Sequence, residues 1–263
     1  MSRAALRRAW FPALIVAATA TALLFLTLPV VAIFVDSSPG RLLDSLGEEG
    51  ALDALWLSLR TTAIALAIIV LVGTPAAWLL ASRTFRGRSL AITLVELPLV
   101  LPPAVAGIAL LAALGPEGIL GGALADAGVR LPLTTAAVVV ALTFVASPFY
   151  VRQAQAAFAA VDRTLIDASR TLGASEARTF LRVVVPTAAP GLVAGGALAL
   201  GRALGEFGAT LMFAGSFQGV TQTVPLAIYD RFATEFEAAL ALSAVLVAVS
   251  LAILLVVKLG ARA

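Results

Sequence analysis

An all-α integral membrane protein with about six transmembrane helices is predicted by three features of the sequence. Apolar residues make up 61% of the 263 residues, against about 45–50% in soluble domains. The mean hydropathy is +1.04. Stretches of about 20 apolar residues, the length a helix needs to cross a bilayer, recur with few charges inside them. Lipid offers no partner to backbone polar groups, so only helices or closed barrels cross it. The short alternating segments that mark a barrel are missing.

Charges, glycines and prolines place the spans at roughly 11–35, 57–81, 90–114, 132–151, 187–213 and 238–258. Arg3, Arg7 and Arg8 before the first apolar run resemble the start of a signal peptide. The run is too long for one, however, and ends in Val35-Asp36-Ser37 without a small-x-small cleavage site, which predicts an uncleaved anchor. Trp10, Trp56 and Trp78 near span ends read as interfacial anchors. Thr74-Pro75 and Ser147-Pro148 read as mild structural kinks. The chain reads as one transmembrane domain, 1–263, with no soluble domain and a long cytoplasmic loop over about 152–186.

Positive charge sets the orientation, because short cytoplasmic loops hold the excess of Lys and Arg. Arg3, Arg7 and Arg8, then Arg83, Arg86 and Arg88, then Arg152, Arg163, Arg170, Arg178 and Arg182, then Lys258 and Arg262 fall on one side. The other side holds Arg41, Arg130 and Arg231, together with Asp36, Asp44, Glu48, Glu49 and Asp53. Both termini are therefore expected in the cytoplasm of a multi-pass cell membrane protein. The cations are spread along the membrane flanks instead of forming one patch, which argues against nucleic acid.

The chain has no Cys and no His. Thiol chemistry, disulfides, histidine proton relays and ordinary zinc sites are excluded. The glycine-rich run Gly115-Pro116-Glu117-Gly118-Ile119-Leu120-Gly121-Gly122 lacks the lysine of a phosphate loop. No cofactor is expected on this chain.

Between the fourth and fifth spans lie helix formers with two cap candidates, Asp162 and Ser175, and Gly173 where two helices would meet. A short helix lying along the membrane and fixed to a span can pass a partner's motion to the bundle. The same composition also suits an interfacial helix held by Arg snorkelling. Asp167-Ala168-Ser169, then Gly173, then Val183-Val184-Val185-Pro186 resemble the coupling ("EAA") loop of ABC importer membrane subunits. Asp167 stands for that family's Glu, Ser169 for its second Ala, and valines for Ile and Leu. The resemblance implies that Asp167, Ala168, Ser169, Gly173 and Pro186 meet an ATPase, with Pro186 at the start of the next helix.

The fifth span holds Gly201-Arg202-Ala203-Leu204-Gly205-Glu206-Phe207-Gly208-Ala209-Thr210-Leu211-Met212-Phe213-Ala214-Gly215, followed by Thr221-Gln222-Thr223-Val224-Pro225-Leu226-Ala227-Ile228-Tyr229. It resembles the corresponding stretch of molybdate and tungstate importer permeases, with sulfate permeases as close relatives. Arg202 and Glu206, four apart, are expected on one helix face, paired or lining a watery cavity. A structural ion pair and a pore-side pair both fit, and Gly201, Gly205 and Gly208 would let backbones approach. In the third span, Glu96 precedes Pro98, Pro102 and Pro103, whose missing donors break a helix. A gate and a buried packing kink both fit.

The resemblance implies a permease that pairs with a second copy of itself, two ABC ATPase subunits carrying ATP and Mg, and an extracytoplasmic oxyanion-binding protein. A sulfate or other oxyanion permease is the alternative, and a secondary transporter is less well supported.

Overall fold

The computed structural model describes residues 3–36, 40, 47 and 50–260, and among these there is no strand. Arg41, Asp44, Glu48, Glu49 and Arg262, used above for orientation, lie outside the described residues. In chain order the helices are α1 (Arg3–Asp36), α2 (Ala51–Ser82), α3 (Arg88–Val100), α4 (Pro103–Leu114), α5 (Gly121–Asp126), α6 (Thr135–Ala159), α7 (Arg163–Thr171), α8 (Glu176–Leu204), α9 (Gly208–Ala214), α10 (Val224–Phe232) and α11 (Phe236–Gly260). Helices α1, α2, α6, α8 and α11 are long and apolar enough to cross a membrane, and α3 with α4 makes a sixth span if the bent pair counts as one.

Helix α6 is the centre of the bundle. Its small residues Ala137, Ala141, Ala146 and Ala154 are fully buried, and neighbours pack against two of its sides. A Cβ on Gly73 of α2 would lie 3.0 Å from the Tyr150 ring and 3.1 Å from Val151, and one on Gly191 of α8 would lie 2.4 Å from the Ala157 Cβ. Glycine is used at both places because the backbones are that close. Without a hydrophobic drive in lipid, such close packing is what holds spans together.

These contacts also fix direction. Gly73 meets residues 150 and 151, and Trp78 meets Phe158, so α2 and α6 run parallel. Gly191 meets residue 157 and Gly195 meets residue 153, so α8 runs antiparallel to α6. Arg88 at the start of α3 donates Nε–H to the Leu80 carbonyl at 2.8 Å, and Thr135 at the start of α6 donates to the Val220 carbonyl at 2.8 Å. The segment α3–α4 therefore carries the chain from the end where α2 stops to the opposite end where α6 begins.

Helix α1 differs from the rest. Its apolar stretch Trp10–Val35 is unburied, and it packs against α11. Trp10 and Trp56 are exposed, as interfacial anchors require. Trp78 is not such an anchor. It packs edge-on against Phe158 at 5.6 Å and against Phe180 at 5.6 Å, tying α2, α6 and α8 together.

Candidate translocation gate and coupling surface

The third span is broken, at one point. Pro98 is absorbed inside α3. The chain turns at Leu101-Pro102, and α4 leaves at 119° to α3 with Pro103 in its first turn, where a missing N–H costs nothing.

The fifth span departs from expectation at both ends. The rod that holds the fifth span begins at Glu176 instead of near residue 187, and within it Pro186 falls in the first turn of the regular α-helix Val185–Leu204, the place expected of it. A π turn over Phe180–Val184, with the Val185 N–H bonded to the Phe180 carbonyl, absorbs the register change just before the proline. At the far end α8 stops at Leu204, and Gly205, Glu206 and Phe207 are not helical. Arg202 and Glu206 are thus not two positions on one helix face. Glu206 sits in the break, 1% exposed, with Oε2 on Arg202 Nη2 at 2.5 Å and Oε1 accepting the Ala209 N–H at 2.7 Å. One buried carboxylate neutralises the arginine and satisfies an orphan donor of α9, so it holds the two halves of the broken span in register.

The two breaks are packed on each other. A Cβ on Gly208 would lie 2.8 Å from the Pro103 Cβ and 3.1 Å from the Ala104 nitrogen, and one on Gly107 would lie 2.7 Å from the Ala209 carbonyl oxygen. Gly208 makes the close approach expected of it. Gly201 meets nothing within 4 Å in the single chain, and Gly205 meets only the Gly201 carbonyl at 3.6 Å. Pro102, Pro103, Arg202, Glu206 and Gly208 thus form one locus. Glu96 lies below it, paired with Arg152 at 2.9 Å.

Arg152 belongs to α6, and α6 continues to Ala159, so the loop expected from residue 152 begins only at Ala160. Helix α7 is held by its own caps. Asp162 accepts the Thr164 N–H at 2.9 Å, and this bond keeps its carboxyl below the ordinary aspartate value. At the other end the Gly173 N–H reaches the Arg170 carbonyl at 2.9 Å and the Ala174 N–H the Ser169 carbonyl at 3.1 Å. That is a Schellman turn. It demands the φ of +81° at Gly173, which only glycine adopts freely.

Arg170 then clamps the corner. It reaches Glu176 at 2.8 and 3.0 Å and Asp167 at 3.3 Å, and these carboxylates raise its pKa further. The Ser169 and Thr179 hydroxyls share a hydrogen bond at 3.0 Å. Ile166 points inward, while Asp167, Ala168, Leu172 and Gly173 face outward. Between this corner and the end of α2 is a cavity of about 420 Å³ lined by Trp78, Arg83, Phe158, Arg163 and Arg170 among others. Sequence reasoning missed the aromatic base beneath it, where Phe158 and Phe180 stack at 5.9 Å. Aromatics just before Asp162 and just inside α8 were the available signal.

On the other side of the bundle, the Gln222 side-chain amide donates to Asp230 Oδ2 at 2.6 Å, and the Ser216 hydroxyl donates to it at 2.9 Å. The segment 215–223 is thereby a folded surface.

A helical bundle with two broken, closely packed spans and an ion-paired interior defines a multi-pass membrane protein. The sequence pattern of the binding-protein-dependent transport system inner membrane components matches residues 73–263, and the chain belongs to that family. It is 44% identical over 241 residues, 91% of this chain and 90% of the other, to the molybdenum transport system permease protein ModB of Mycobacterium tuberculosis. In fold it is similar to a bacterial ABC transporter that imports the acidic polysaccharide alginate (TM-score 0.78, 18% identity, 98% of this chain and 96% of that one). A bacterial alginate ABC transporter in complex with an alginate-pentasaccharide-bound periplasmic protein aligns with a TM-score of 0.75 at 18% identity, over 97% of this chain and 94% of that one.

Proposed function

We propose that this chain is the membrane permease subunit of an ATP-driven importer for molybdate or tungstate. The observation that carries the reading is the 44% identity to a molybdenum permease across nine tenths of both chains. Two copies form the pathway, and the paired breaks at Pro102–Pro103 and Gly205–Gly208 gate it. A dedicated oxyanion-binding protein delivers the anion from outside. Two separate ATPase subunits, which carry ATP and Mg, dock on α7 and the Gly173 corner, while this chain binds no cofactor and performs no hydrolysis.

The capped corner suits this work because its backbone groups are satisfied locally. Its outward side chains are left for a partner, and the Trp78–Phe158–Phe180 base joins it to three spans. A rocking ATPase then moves those spans as a unit.

Uptake by cells producing the whole transporter tests the reading. Radiolabelled molybdate should accumulate, tungstate should compete at similar concentrations, and sulfate should compete only in large excess. Equal competition by sulfate would move the assignment to sulfate permeases. In this reading both termini lie in the cytoplasm. With no native Cys, single cysteines at Ser2, Ser45 and Ala263 report this directly: an impermeant maleimide added to intact cells should label only the Ser45 variant, and labelling at Ala263 would reverse the topology.

A further inference from the structure

Arg152 is placed by its sequence neighbours among cytoplasmic loop charges, but it lies within α6, seven residues before Ala159, or roughly 10 Å in from that helix end. Glu96 is eight residues after Arg88 in α3, about 12 Å from the same end of the bundle. The two meet at 2.9 Å with side chains 49% and 37% exposed. Both residues fall inside candidate spans, where ionised side chains pair or face a water-filled cavity, and the half exposure of this pair fits a face turned toward water. Thr93 and Val100, one turn to either side of Glu96, are exposed as well. Glu96 stands four residues, about 6 Å along α3, before the end of that helix at Val100, where the chain turns toward Pro103.

We propose that Arg152 is an inner station for the transported oxyanion, with Glu96 as its release group. This rests on the reading of the chain as an oxyanion permease. A guanidinium carries five N–H donors in a planar fork that suits a tetrahedral oxyanion. Glu96 competes for those donors and repels the dianion. The anion is therefore held briefly and passed on, and Glu96 takes its place. The outer pair has the same composition with a different exposure: Glu206 is buried and Arg202 is 26% exposed, so there the carboxylate belongs to the scaffold, whereas Glu96 is free to exchange.

The test uses the complete transporter, permease with ATPase and binding protein, in proteoliposomes, and the permease in nanodiscs for binding. Glu96→Gln should tighten radiolabelled molybdate binding by about tenfold, the equivalent of 1.4 kcal/mol, and slow uptake at saturation. Adding Arg152→Gln should return binding to the starting level. An assembled Glu96→Gln variant with unchanged binding overturns the proposal, as does normal uptake by Arg152→Gln. If both variants fail to assemble, Thr93→Cys and Val100→Cys decide: both should react with a hydrophilic maleimide, more slowly with molybdate present. Inserted but unreactive cysteines place the face in lipid and overturn it. A wild-type transporter that moves no oxyanion sinks the function and the station together, whereas molybdate uptake with unaltered variants sinks the station alone.

Discussion

The proposed gate and the proposed coupling corner are both breaks in helix continuity, yet they are stabilised in opposite ways. At the gate, Pro103 and Gly107 meet Gly208 and Ala209 in close contact across two spans, and the buried Glu206 ties the broken fifth span together through Arg202 and Ala209. At the corner, Asp162, Ser175, Arg170 and the Schellman turn close hydrogen bonds within seventeen residues of one another, mostly in water. A substitution at the gate is therefore felt by the fold. One at the corner leaves the fold standing and is felt by whatever docks there.

Removing one member of the Arg202–Glu206 pair is the strongest probe of that contrast. An uncompensated buried charge costs about 3–5 kcal/mol. Arg202→Ala and Glu206→Ala should each reduce the amount of assembled protein, and the double variant should lose less than the sum of the two, measured by thermal unfolding in detergent. Additive losses would mean the residues act separately. A double variant that assembles normally but moves no molybdate would place the pair on the pathway itself.

Glycine substitutions on each side give the next contrast. Gly208→Val would drive a side chain into Pro103 and should cost about 1–3 kcal/mol as overpacking, visible as a lowered melting temperature. Gly173 has open space around it and a φ of +81°, so Gly173→Trp costs only about 1–2 kcal/mol of local backbone energy. That variant should insert and dimerise normally but hydrolyse ATP without uptake. Normal transport by Gly173→Trp would remove the corner from the ATPase contact.

How much of this was legible follows the same division. The backbone fold of the corner could be read, because caps and a glycine turn are local: Asp162, Ser175 and Gly173 each do what their residue types do within a few positions. The gate was legible only in parts. Pro102–Pro103 announced a break, but Pro98 did not make one, and α3 runs through it to Val100. The break at Gly205–Phe207 was hidden because Arg202 and Glu206 keep i,i+4 spacing, and nothing in that spacing says that the carboxylate turns back to cap α9. The pairing of the two breaks is a long-range fact set by Gly208 against Pro103. Arg152 was misplaced because charge ends an apolar run in the sequence, while the helix runs on for two more turns with its charge paired to Glu96.

The smallest expected effect lies at the first cap of α7. The Thr164 N–H holds the Asp162 carboxyl below its unfolded value, so its contribution is present above the ordinary aspartate pKa of about 3.9 and is lost as pH falls through the lower folded value. The group is fully exposed and the cap frays locally. Unfolding of the whole bundle should therefore hardly change between pH 7 and pH 4. Hydrogen exchange at the Thr164 amide, corrected for its intrinsic pH dependence, should accelerate only below that range. Asp162→Asn should keep the amide protected at all these pH values, because asparagine caps as well as aspartate and does not titrate. Asp162→Ala should expose it throughout. Acid sensitivity that persists in Asp162→Asn would trace the loss to another carboxylate, with the Arg170 partners Glu176 and Asp167 the next to examine, and the corner would then depend on its clamp more than on its cap.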